Sequence, residues 1–350
     1  MAARTAIGLD IGTSGVRAAE LTFGKHGVRL EKFGQVAVPA GAVRDGEVVE
    51  PVAVAEAIKE LWGATRFSSK KVVLGVANQR VVVRSVELPW LPVAELRKSL
   101  GLQVADLLPM PVEQAVLDFH TLEEVTSDKG RMIRGLLVAA ARDTVLANVR
   151  CAERAGLTPT SVDLTSFAVL RALGNGGFGD GATEVLVDVG ARVTNIVVHV
   201  GGVPSFVRIL LMGGQDITDA LAERVGSSLA EAEGLKQAVG MDGQAGPQYA
   251  NAARAVDATA QSLVDEIRGS LDYYASTTPG RPVQRVILSG GGSLLRGLAE
   301  RLGQSVRIPV ALGDPIQNMS IGKTGLDEEQ LRLVRPLAAV PVGLAMGAAR

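Results

Sequence analysis

Apolar residues along this chain recur with two periods. Short apolar runs bounded by turn residues predict strands over 72–76, 81–86, 136–139, 206–211 and 286–289. Between them, apolar residues three and four apart predict helices over 52–62, 93–107, 143–155, 216–225 and 298–304. Strands alternating with helices indicate an α/β architecture. The segment from Ala252 to Tyr274 places Ala253, Val256, Ala260, Leu263, Ile267, Leu271 and Tyr274 in one stripe, which predicts a long helix with a single packing face.

The same pattern contains an internal repeat. Ile7 to Leu21 is an apolar strand, Asp10, one apolar residue, Gly12, a short polar turn and a second apolar strand. Val185 to Val200 repeats that order around Asp188 and Gly190. Each copy opens one half of the protein, so the chain reads as a duplicated α/β domain with a cleft between the halves. A glycine-rich connection at 174–181 joins them, a polar turn spans 125–130, and Met241–Pro247 separates a short helix from the long one.

Size and charge narrow the function classes. A chain of 350 residues suits about two domains at ~150 residues each. A formal net charge of -1 gives no field that would make nucleic acid or an anionic membrane the main partner. The single cysteine, Cys151, excludes an intramolecular disulfide and a cysteine-built zinc site. The segment before Ile7 has no apolar core, and no basic amphipathic tail follows the apolar segment near Arg350, so the expected location is cytoplasmic. No run reaches the roughly 18 apolar residues that a spanning helix needs.

An Asp at a strand end, followed by a tight glycine turn, has a chemical use. Backbone N–H groups of the turn can ring a phosphate while the carboxylate holds Mg²⁺ through water. Thr13 and Ser14 add hydroxyls and Arg17 a charge. One Asp-x-Gly hairpin is an ordinary turn, but two facing each other could grip a polyphosphate from both sides. A third motif, Val286 to Ser293, runs from a strand into Gly290-Gly291-Gly292 and then a helix, leaving room for a flat base or ribose against backbone. Neither a P-loop nor a Rossmann fingerprint is present.

In this order, Asp10-x-Gly12-Thr13, Asp188-x-Gly190 and Gly290-Gly291-Gly292 resemble the two phosphate motifs and the adenosine motif of the actin-like ATPase superfamily. Its members include actin, heat-shock chaperone ATPases, sugar kinases and FtsA. Pro341 to Ala349 resembles the superfamily's closing helix, so the likeness covers most of the chain. Glu87–Pro92, Leu107–Glu113 and Leu117–Phe119 are similar to the PilM family of the type IV pilus machinery, where they lie in a subdomain inserted into the first lobe, as FtsA also has. The resemblance implies a duplicated actin-like, ribonuclease H-like two-lobed fold. Its parts would be a first lobe of 1–79 and 160–182, an inserted partner-binding subdomain of 80–159, a second lobe of 183–220 and 286–350, and an accessory subdomain of 221–285.

The resemblance also implies a site. ATP would be held by Asp10, Gly12, Thr13, Ser14, Arg17, Asp188, Gly190, Ala191, Thr194, Gly213, Gly214, Glu233, Lys236, Gly290, Gly291, Gly292 and Ser293, with Mg²⁺ on Asp10 and Asp188 through water. Glu233 and Lys236 would approach the ribose; on spacing alone they are an ordinary exposed i, i+3 pair. Arg17 stands where the family often has Lys, and Arg192 inside the second turn either touches phosphate or faces solvent. No base for an attacking water is recognisable, so binding is expected and hydrolysis weak or absent. The implied partner is the cytoplasmic N-terminal peptide of a PilN-like inner-membrane protein, with peripheral membrane association through it, no nucleic acid, and a homo-oligomer left open. Two alternatives stand beside this reading: an FtsA-like polymerising division scaffold, and a small-molecule kinase of the superfamily.

Overall fold

The computed structural model describes residues 4–25, 27–128, 130–174 and 181–348. The chain opens with a hairpin of β1 (Arg4–Ile11) and β2 (Gly15–Gly24), continued by β3 (Gly27–Ala37). Ile7, Leu9, Val16, Ala18, Ala19 and Leu21 are all buried, as expected of strands covered on both faces. A small hairpin follows, β4 (Val43–Arg44) and β5 (Glu47–Val48). Asp45 and Gly46 turn it at φ of 48° and 79°, the left-handed pair that an Asp-Gly hairpin turn requires. Then come α1 (Pro51–Thr65) and β6 (Lys71–Val76).

The next segment builds its own sheet. β7 (Val81–Pro89), β8 (Ala115–Ser127) and β9 (Gly130–Ala141) form a three-stranded antiparallel sheet ordered β7-β9-β8, with α2 (Val93–Val104) between β7 and β8 in the chain. Leu96, Leu100 and Val104 of α2 pack on Leu88, Ile133 and Leu137. The polar turn expected at 125–130 is the β8–β9 hairpin tip, of which Lys129 lies outside the described residues. The chain returns through α3 (Arg142–Arg154), β10 (Thr158–Leu164) and α4 (Thr165–Leu173). Cys151 and Ala152 of α3 share a core with Val54, Ile58 and Leu61 of α1 and with Val72 and Leu74 of β6. By packing, α3 and β10 therefore belong with the first sheet.

Most of the glycine-rich connection, residues 175–180, lies outside the described residues. The second half holds β11 (Thr183–Val189), β12 (Thr194–Val200), β13 (Val203–Leu210), α5 (Gly214–Val225), α6 (Leu229–Val239) and α7 (Ala250–Thr277). It continues with β14 (Arg285–Ser289), α8 (Leu298–Val306), β15 (Val310–Leu312), β16 (Ser320–Ile321), α9 (Glu328–Val334) and α10 (Ala339–Gly347). The stripe expected on α7 is its buried face, with Ala252 the deeper residue at its start and Ala253 only partly covered.

Strand order makes the duplication explicit. The first sheet runs β10-β6-β1-β2-β3-β16 and the second β15-β14-β11-β12-β13. Apart from β16, the two correspond strand for strand. In each, the first three strands are antiparallel and the other two pair in parallel. The helices between the sheets exchange partners. α10 lies on the first sheet, so close that a Cβ on Gly8 would come 2.1 Å from the Pro341 carbonyl oxygen. α4 packs toward the second sheet, where Ala168 and Leu173 share a core with Leu186, Val197 and Ile287. The two helices touch at Gly343, where a Cβ would lie 1.8 Å from the Ala168 oxygen. Only glycine permits that approach.

Candidate functional site

Both hairpins end in the same turn. Gly12 N–H donates to Gly15 O at 3.0 Å, and Gly190 N–H to Val193 O at 2.9 Å. In each, the Asp two residues earlier closes the strand, with Arg17 opposite Asp10 and Asn195 opposite Asp188. The chemistry around the two carboxylates differs. Ser289 sits beside Asp188 in parallel register, and its Oγ donates to Asp188 Oδ1 at 2.8 Å. On the first-lobe side, β6 runs on from Leu74, the partner of Leu9, to Gly75, which has no side chain to offer.

These hairpins face one cleft of about 1010 Å³ between the lobes. Asp10, Gly12, Thr13, Ser14 and Arg17 line it from the first lobe; Asp188, Gly190, Ala191, Gly214, Glu233, Lys236 and Gly290 to Gly292 line it from the second. Three other expected residues stand behind the wall. Thr194 is fully buried, and its Oγ1 donates to Met212 O at 2.7 Å. Gly213 N–H donates to Asp216 Oδ2 at 2.7 Å, and a Cβ there would come 2.4 Å from Gly190 O. Ser293 is buried and donates to Gly290 O at 2.6 Å. All three shape turns and have no surface in the cleft.

Burial pushes the Asp188 carboxyl up to about 6; the Ser289 hydrogen bond opposes this, the nearby charge of Asp10 adds to it, and Arg17 opposes it. Burial also raises Asp10, against the Arg17 guanidinium 3.8 Å away. Two acids so placed have too little positive charge beside them, a donor set that suits a hard divalent cation. Mg²⁺ fits that set, since the two carboxylates would hold it through water. Among the described residues no three His, Cys, Asp or Glu side chains converge.

The second-lobe wall is already internally bonded. Ser228 caps α6 by accepting from Glu231 N–H, while Glu231 Oε2 accepts from Ser228 N–H. One turn further on, Lys236 Nζ donates to Gly214 O at 2.9 Å, Thr218 Oγ1 at 2.8 Å and Glu233 Oε2 at 2.6 Å, using all three of its protons. Burial works to raise Glu233, but the hydrogen bonds from Lys236 and Thr218 outweigh it and hold the carboxyl below its ordinary value. Arg192 is turned onto α5, donating to Asp216 Oδ1 at 2.6 Å and to Asp219.

Sequence reasoning missed part of the lining. Gln35, Arg44 and Asp45 reach the cleft from the first lobe, as do Thr165 at the start of α4 and Asn148 on α3. Asn148 Nδ2 donates to Gly75 O at 3.3 Å, leaving Oδ1 buried with no partner among the described residues. The Asp45-Gly46 pair was a legible turn signal. Nothing in the local pattern marks Asn148, which reaches the cleft only through the fold.

The chain resembles known proteins over nearly its full length. The family model for type IV pilus assembly protein PilM matches residues 8–349. The cell division protein FtsA of Bacillus subtilis (strain 168) is 26% identical over 262 residues, 67% of this chain but only 58% of that protein. FtsA of Streptococcus pneumoniae serotype 2 (strain D39 / NCTC 7466) is 26% identical over 89% of this chain and 75% of its own. A chain of a solved PilM–PilN type IV pilus biogenesis complex matches with a TM-score of 0.85 and 28% identity, covering 99% of this chain and 98% of that one. MreB5 of Spiroplasma citri, solved with ADP, shares the fold at a TM-score of 0.51 and 12% identity, over 97% of this chain and 94% of its own. The strand-for-strand duplication, the paired Asp hairpins across one cleft and the family match over residues 8–349 converge: this chain belongs to the PilM family of type IV pilus assembly proteins.

Proposed function

We propose that this protein is an ATP-binding scaffold of a type IV pilus or related secretion system, whose partner is the cytoplasmic N-terminal peptide of a PilN-like inner-membrane protein. The observation that carries this reading is the likeness, over the whole chain, to a protein solved in complex with PilN. No described helix is long and apolar enough to cross a membrane, so association with the inner face of the membrane would come through that partner.

In the cleft, Asp10 and Asp188 hold Mg²⁺ through water, and the turns at Gly12–Ser14 and Gly190–Ala191 cradle phosphates. Gly290 to Gly292, with Glu233, form the base and ribose side. A relative of the same fold that was solved with ADP supports this seat for a nucleotide. ATP acts here mainly as a conformational ligand: Lys236 and Arg192, which could otherwise stabilise developing charge, are committed to Glu233, Asp216 and Asp219.

Our division of the chain takes the inserted unit as 81–141, not 80–159, because α3 and β10 pack with the first lobe. The accessory helices α6 and α7 share the second-lobe core. The inserted unit is tied to the cleft at both ends. Ala77, just before β7, and Asn148, on the helix after β9, both line it. Closure on ATP would move both roots, and so bias a peptide groove on this unit through differing affinities for two states.

The test is co-purification of the full chain with the N-terminal segment of a PilN-like protein fused to a carrier, with Mg-ATP present. Retention supports the reading; loss of the segment under conditions that keep nucleotide bound overturns it. The FtsA likeness supports a second reading, whose mark is filament formation with ATP on lipid.

A further inference from the structure

Among the described residues, four basic side chains line the cleft: Arg17, Arg44, Arg192 and Lys236. Three are engaged. Arg17 Nη2 donates to Ser14 Oγ at 3.2 Å and Nη1 lies 3.8 Å from Asp10. Arg192 is bonded to two carboxylates, and Lys236 has spent every proton. The Arg44 side chain is exposed and makes no hydrogen bond or ion pair with any described residue.

Its mount, in contrast, is rigid. Val43 is buried in the first-lobe core beside it. The Asp45-Gly46 turn follows, packed so closely that a Cβ on Gly46 would sit 2.0 Å from the Ala77 oxygen. The N–H groups of Val49 and Glu50 both donate to Ala42 O, at 2.9 and 3.1 Å, closing the base of the hairpin. Val38 N–H reaches Ser14 O at 3.4 Å, linking this segment to the first phosphate turn. A long, unpaired cation on a fixed base beside an anion-binding turn is placed to meet an anion that arrives later.

We propose that Arg44 binds the terminal phosphate and makes the cleft discriminate a nucleoside triphosphate from a diphosphate. This rests on the nucleotide reading above. The base and ribose groups, Gly291 and Glu233, lie on the second lobe. The phosphate chain therefore extends toward the first lobe, and its last member is the one nearest the β4–β5 hairpin. With Asp10 and Asp188 already negative there, a triphosphate needs a further cation, and the guanidinium fork suits two phosphate oxygens.

Calorimetric titration of the full-length wild type, Arg44→Gln and Arg44→Lys with Mg-AMPPNP and with Mg-ADP tests this. Arg44→Gln should weaken the triphosphate analogue roughly tenfold, about the worth of one charge-assisted hydrogen bond, and change ADP less than about twofold. Arg44→Lys should recover part of the loss, and the difference should shrink at high salt. Because the Arg44 side chain has no partner among the described residues, the melting temperature of Arg44→Gln should match wild type. An unchanged ratio of triphosphate to diphosphate affinity overturns the assignment while leaving the nucleotide site standing. Failure of wild type to bind either nucleotide overturns the site itself, and this inference with it.

Discussion

Replacing Asp188 by asparagine should stabilise the nucleotide-free protein while removing Mg-ATP binding. Asp188 is only 6% exposed, and its carboxyl rises from 3.8 to about 6 on folding, burial being the main cause. Each tenfold step in acidity is worth about 1.4 kcal/mol, so holding Asp188 ionised at neutral pH costs the folded state about 3 kcal/mol. The sign follows from linkage. Between pH 3.8 and about 6 the folded state binds more protons than the unfolded one. The group's favourable contribution is therefore complete below 3.8 and is lost as pH rises through 6. Asparagine keeps an acceptor for Ser289 but adds an N–H₂ that needs a partner, which takes back about 1–2 kcal/mol. The net gain at pH 7.5 is about 1–2 kcal/mol, or roughly 2–8 °C in melting temperature for a lobe of this size. Scanning calorimetry at pH 7.5 and 4.5 reads it: the variant should melt higher at pH 7.5, and its advantage should vanish at pH 4.5. A variant that melts at or below wild type at both pH values refutes the reasoning.

Gly343→Ala places a methyl 1.8 Å from the Ala168 oxygen where α4 and α10 touch, and should cost about 3 kcal/mol or more, seen as a lowered melting temperature. Gly291→Val differs, since a Cβ there meets only Leu337 Cδ2 at 3.2 Å. It should fold normally and lose ATP by blocking the base and ribose wall, checked by melting and titration together. Lys236→Met removes three hydrogen bonds made by a buried ammonium, leaving Thr218 Oγ1 without that donor and Glu233 with only Thr218 and Gln237. It should lower stability by about 2 kcal/mol as well as weaken ATP, measured by urea unfolding and nucleotide titration.

Much of the site was legible because it is local. An Asp, a glycine and a four-residue turn lie within one hairpin, and the copy at Asp188 made the duplication visible before any packing was known. The glycine run at 290–292 was legible for the same reason, since a turn writes its geometry into adjacent residues. What the sequence hid depends on distance along the chain. Thr194, Gly213 and Ser293 carry the right motif neighbours but point into the wall, because their hydroxyls and N–H groups close the turns themselves. Asn148 reaches the cleft only because α3 leaves the inserted sheet and returns to the first lobe. The edge of the inserted unit is hard to read from sequence for that reason too: the amphipathic pattern of α3 says that one face is buried, not which sheet buries it. β8 escaped notice because it is half-exposed and rich in polar residues, and its pairing with β9 supplies what its own pattern lacks. Trp90 is 37% exposed, with Arg131 4.0 Å over its ring and its Nε1 donating to Glu124 at 3.1 Å.

The central claim is that an ATP-loaded member of this family captures a membrane protein's cytoplasmic tail. The most direct test is a calorimetric titration of the full chain, saturated with Mg-ATP, by a peptide copied from the N-terminus of a PilN-like protein, with Trp90 fluorescence recorded in parallel. Saturable binding at a ratio of one peptide per chain, with a change in Trp90 emission, is the predicted result. A flat titration in a sample that still binds Mg-ATP would contradict the scaffold role and move the filament reading ahead.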